Sequence, residues 1–187
     1  MQSQSFTLSQ NDLNLLAKLR GRTFLELSGE DLVQDNLSFG PIRIGTSGFG
    51  LLLSCIKTND NFSLVDEPLN IFKVDESQEV SGLAKRKGFL YFNEKGLEIE
   101  SVLLIQDTVE KHSETDSDGN FKFDRAIVLQ FDSRFLAFAK DSYWEPAIRV
   151  IRGKSIEEVE GFLRDLEDEW PSDLLETYEF KREWVKL

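Results

Sequence analysis

The run AIRVIRGKSIEEV at residues 147–159 places a β-forming stretch, Gly153-Lys154-Ser155 and a helix-forming stretch in the order of a phosphate-binding loop. The chemistry would be a cradle of backbone N–H groups around phosphate oxygens, with Lys154 as the cation. The complete pattern needs a glycine at position 148, where Ile148 stands, and the residues between are β-formers that do not converge their N–H groups on one point. Glu157 and Glu158 also put carboxylates at the helix start an anion would need, so the run reads as a strand followed by an ordinary capped helix. GTSGFG at 45–50 lacks the spacing of a dinucleotide fingerprint and opens into LLLSCIK, a strand rather than a helix. It reads as a turn or bulge. ETDSDGNFKFDR at 114–125 aligns Glu114, Asp116, Asp118 and Gly119 with a calcium loop, but Arg125 stands where a bidentate Glu is required and the flanks are strands.

His112 is the one histidine and Cys55 the one cysteine, so neither a His-based zinc site nor a Ser-His-Asp triad with a spare base can be drawn. The apolar setting LLLSCI predicts a buried, protonated thiol at Cys55. Acidic pairs such as Asp66-Glu67 and Asp75-Glu76 fall at strand ends or loops, where solvated turn residues are the usual explanation. The distance between two carboxylates is invisible in sequence, which keeps a carboxylate-dependent enzyme as an alternative. The expectation is no catalytic residue, no cofactor and no metal.

The elements that would position these residues follow from periodicity. Ser9 and Asp12 open a short helix whose apolar face is Leu13, Leu16, Ala17 and Leu19 and whose stop is Gly21, although a capping box normally has Glu or Gln at Asp12's position. Short β-like runs at 23–27, 41–44, 51–57 and 69–74 predict an antiparallel meander, and 74–88 a surface loop. Residues 97–112 and 121–132 flank an Asp-Gly turn and predict a long hairpin in the middle of the sheet. Its centres, 102–105 and 126–129, are apolar at every position and should be covered on both faces. Residues 135–140 and 147–151 extend the sheet around a loop carrying Tyr143, Trp144 and Pro146. Ser155 and Glu158 form the capping box of an amphipathic helix over 155–170, stopped by Pro171, and 179–187 reads as a final edge strand. The fold class expected is a single α+β domain over 1–187, a mostly antiparallel sheet with one helix near each end packed on it.

Bulk numbers narrow the partners. The 187 residues are 40% hydrophobic and 30% charged, enough for one core without disulfides. No leader-like start and no apolar run near ~20 residues is present, and a lone thiol fits a reducing compartment, so a cytoplasmic protein without a membrane segment is expected. The 22 basic and 34 acidic residues leave a net charge of −12, which disfavours a phosphate backbone and suits a basic protein. Residues 141–187 hold thirteen acids and seven bases, half of that excess. Glu167, Asp168 and Glu169 fall in the last turn of the expected helix, where the macrodipole disfavours negative charge by roughly 0.3–1 kcal/mol each. The partner-binding surface expected is Tyr143, Trp144, Glu160, Arg164, Glu167, Asp168 and Glu169. In overall form, a small acidic α+β chain without an assembled site, the protein resembles the immunity proteins that bacteria make against toxins; the resemblance is one of type and rests on no motif. It implies a non-catalytic module that masks a basic partner. The alternatives are a structural or regulatory domain that self-associates through sheet edges, and the carboxylate enzyme.

Overall fold

The computed structural model describes residues 2–29, 36–61, 68–77, 89–90, 94–113, 119–163 and 176–187. In chain order the elements are β1 (Gln2–Phe6), α1 (Gln10–Ala17), β2 (Phe24–Gly29), β3 (Leu37–Ser38), β4 (Ile42–Thr46), β5 (Phe49–Asn61), β6 (Pro68–Glu76), β7 (Phe89–Leu90), β8 (Ser101–Ser113), β9 (Gly119–Phe131), β10 (Arg134–Lys140), β11 (Ile148–Gly153), α2 (Ile156–Gly161) and β12 (Glu176–Lys186). This is an α+β arrangement dominated by antiparallel strands.

The strands form two sheets rather than the one expected. The larger has the order β12-β8-β9-β10-β11-β3, and the smaller β6-β5-β4-β2-β7. Strand β9 carries three partners. Its first half pairs with β1 in parallel, its second half with β10, and its other edge with β8 throughout. Apolar side chains of both sheets meet in one buried cluster, with Leu27, Ile44, Leu53 and Phe72 from the smaller sheet and Leu104, Ile127, Leu136 and Phe138 from the larger. The reverse face of the hairpin centre, Leu103, Ile105, Ala126 and Val128, packs with Val159 and Leu163 at α2. The unbroken apolar runs of β8 and β9 thus face a sheet on one side and a helix on the other.

Asp12 closes the capping box of α1 in place of the longer acid expected there. Its carboxylate accepts from the Ser9 N–H at 3.1 Å while the Asp12 N–H donates to Ser9 Oγ. The same buried carboxylate accepts from the Val74 N–H and Lys73 Nζ, which ties α1 to β6. Burial opposes ionisation of Asp12, but these hydrogen bonds outweigh it and hold the group below the ordinary carboxylate range. Gly48, at φ +69°, turns β4 into β5, so GTSGFG is a hairpin turn.

Ser155 caps α2 by accepting from the Glu158 N–H, and Glu158 reaches back to the Lys154 N–H at 2.7 Å. Regular helix runs to Gly161, with Phe162 and Leu163 closing in i−3 bonds; the remainder of the helix expected to residue 170 lies outside the described residues. No helix among the described residues is long and apolar enough to cross a membrane.

Candidate functional site

Where the β8–β9 hairpin meets the loop after β10, charged side chains concentrate inside the protein. Ile105 pairs with Ala126 and Gln106 with Asp124, so Arg125 is the extra residue of a bulge, which locally re-aims the strand. Buried Asp107 accepts two bonds from Arg182 of β12, at 2.7 and 2.8 Å, and a third from the Tyr143 hydroxyl at 3.3 Å. The Arg125 guanidinium lies 3.9 Å from the same carboxylate, stacks over the Tyr143 ring and donates to the Lys140 carbonyl. Asp124 accepts from Gln106 Nε2 and from the Leu8 N–H. Asp107 and Asp124 are thus each met by several donors, which offsets the cost of burying their charge.

Lys140 is differently placed. Its Nζ is fully buried without a hydrogen-bond partner and lies 5.3 Å from the centre of the Phe72 ring. Burial pulls its amine down to about 8, partly opposed by Cys55 and Asp124. Burial likewise pushes the half-buried Cys55 thiol up to about 11 against the nearby Lys140 charge, so this cysteine is protonated at neutral pH.

A cleft of about 290 Å³ opens beside this network, lined by Lys140, Asp141 and Arg149 on one side and by Phe162 and Leu163 at the end of α2 on the other. Arg149 Nε donates to Asp141 at 2.5 Å. The cleft joins the start of the aromatic loop to the end of the helix, the two segments the sequence assigns to partner binding. Their residues fare differently. Tyr143 is 2% exposed, its ring 5.3 Å from that of Phe123 and its hydroxyl on Asp107, so it is a core residue and not a contact residue. Trp144 is half-buried against the cluster of Phe6, Phe121 and Phe123. Glu160 accepts from Trp184 Nε1 at 2.5 Å and so anchors α2 to β12. Arg164, Glu167, Asp168 and Glu169 lie outside the described residues.

Sequence reasoning missed Phe162 and Ile156 as surface residues, since their spacing assigns them to the buried face. They are 57% and 37% exposed, because the helical face that Val159 and Leu163 bury is narrower than the full apolar stripe. It also missed a juxtaposition on the outer sheet, where Glu110, His112 and Glu179 bring one ligand atom each within 4.8 Å of one another. Glu179 is too far along the chain from the other two for spacing to reveal it.

Comparison of the chain with protein-family models, curated proteins and solved structures gives no match to any of them.

Proposed function

We propose that this chain is a non-catalytic, cytoplasmic protein-binding module that masks a basic partner, with α2 and the adjoining cleft as its contact surface. The observation that carries the reading is Phe162, a large apolar side chain more than half exposed at the mouth of a cleft, one turn from the exposed carboxylate of Glu158. A large aromatic side chain seated beside a pocket is a common form of interface anchor. The cleft itself is lined by Arg125, Lys140 and Arg149 as well as Asp141, so the acidic part of the surface is Glu157 and Glu158 on α2. The net charge of −12 favours encounter with a cationic surface. Three of the buried acids, Asp12, Asp107 and Asp124, are each occupied by several donors, which argues against their use in a carboxylate enzyme; the buried Glu94 keeps one oxygen without a hydrogen-bond partner.

The test is co-purification from native lysate, then reconstitution from the purified components. A basic protein should be retained by the wild-type chain, lost by Phe162→Asp, and rebound stoichiometrically in a salt-sensitive manner. Equal retention by both chains, or retention of acidic proteins only, would overturn the reading.

Self-association has one observation in its favour: β12, 11 residues long, ends the order of the larger sheet. Its exposed face of Glu179, Lys181 and Glu183 carries the charges that discourage edge-to-edge pairing. Sedimentation of a dimer that dissociates on Val185→Lys would favour this second reading.

A further inference from the structure

On the outer face of the larger sheet, β8 and β12 run antiparallel with Glu110 directly opposite Glu179 and His112 opposite Thr177. Side chains two apart on a strand point the same way, so Glu110 and His112 share a face, and the register sets Glu179 beside them. An imidazole nitrogen and two carboxylate oxygens lie within 4.8 Å of one another. Two acids directly across a strand pair repel, so the register holds an arrangement that a cation relieves. Lys181 Nζ donates to Glu110 Oε1 at 2.7 Å and relieves part of it, leaving the second oxygen of Glu110 for another cation.

We propose that Glu110, His112 and Glu179 form a surface site for a divalent transition metal of zinc's class. The imidazole selects the class, since calcium and magnesium prefer all-oxygen sites with more ligands, whereas imidazole with carboxylates suits zinc. Three protein ligands leave the remaining coordination positions to water. Bonds of about 2.0–2.2 Å require the three groups to draw together from their present spacing, a movement open to exposed and half-exposed side chains. A metal here would pin β12 to β8 from outside, opposite the bidentate Arg182–Asp107 pair that pins it from within.

The experiment is calorimetric titration of the full chain with zinc chloride, alongside NMR of the imidazole, which is unambiguous because His112 is the one histidine. One zinc per chain is expected, with saturable movement of the His112 signals. His112→Ala and Glu179→Gln should each weaken binding by at least about tenfold, the loss that even the outer partners of a ligand produce. Lys181→Met should tighten it by freeing Glu110 Oε1, and Cys55→Ser should leave it unchanged. The proposal is overturned by unmoved imidazole signals at millimolar zinc, by affinity that survives His112→Ala or needs Cys55, or by calcium binding as tightly as zinc. All the substituted ligands are on the sheet surface, and circular dichroism matching wild type separates a lost site from a lost fold.

Discussion

Lys140 ends β10 with its amine buried beside Phe72, and the linkage between its protonation and folding has a defined sign. Below about 8 the amine is charged in the folded and unfolded chains alike, and the full cost of burying the charge is present. Between about 8 and the ordinary value of 10.5 the unfolded chain holds a proton that the folded chain releases, so this group makes stability rise with pH. Cys55 acts in the opposite sense. Its unfolded thiol ionises from 9.0 while the folded one resists to about 11, so stability falls across that window. Tyr143, whose phenol burial and Asp107 hold above its ordinary value, adds to the fall at higher pH. Lys140→Met keeps the volume and removes the charge. It should exceed wild type in stability at pH 7 by on the order of 2–3 kcal/mol, with the gap narrowing as pH rises from about 8 to 10.5. Urea unfolding across pH of Lys140→Met and its parent, both carrying Cys55→Ser to remove the thiol that interacts with the amine, checks this, because Tyr143 is common to both. A gap that does not change with pH would mean the amine is paired in solution. Nothing in FLAFAK distinguished this lysine from one at a strand end reaching for water; the distinction arises from Phe72, 68 residues away in the chain.

At the scale of elements, the parts legible in sequence were those with a local signal. The Asp-Gly dipeptide and the unbroken apolar runs marked the hairpin, and Ser155 marked the start of α2. The split into two sheets was not legible, because alternation assigns residues to faces but says nothing of which strands share a sheet. β1 was equally hidden: QSQSF has one apolar residue, and it is a strand because β9 offers a free edge along residues 119–123. Packing of α2 on β11 depends on one residue in the same way. A Cβ at Gly153 would stand 2.8 Å from Val159 Cγ2 and 3.1 Å from the Ser155 carbonyl oxygen. Since Val159 is a principal anchor of this short helix, Gly153→Ala should destabilise by about 1–3 kcal/mol through overpacking. Gly161→Ala, where a Cβ meets nothing within 4 Å, should instead stabilise by roughly 0.4–1 kcal/mol through the unfolded chain. Thermal melts of the pair test the contact. Equal effects of the two substitutions would show that α2 is not seated on β11 through Val159.

For the whole molecule the governing quantity is charge, which the sequence states in full, whereas the shape that displays it is only partly legible. Glu160 illustrates the difference, since an acid counted toward the binding face is spent on Trp184. Steering of a basic partner is a long-range effect, so it depends on the sum of charges as well as on where they stand. Reversing Glu167, Asp168 and Glu169 to Lys adds two charges at each position and takes the net charge from −12 to −6. Reversing the exposed acids Glu76, Glu98 and Glu100, none of them on α2 or among the residues of its cleft, changes the net charge equally. If the partner meets the C-terminal acids, the first set should slow association at low salt by about tenfold or more and the second set by much less, with dissociation nearly unchanged in both. At 1 M salt, where the Debye length is ~3 Å, the three chains should associate at similar rates. Stopped-flow mixing with the partner across ionic strength reads both effects. Equal slowing by the two sets would assign capture to net charge alone, and no slowing by either would remove electrostatic capture and leave Phe162 and its cleft to account for binding.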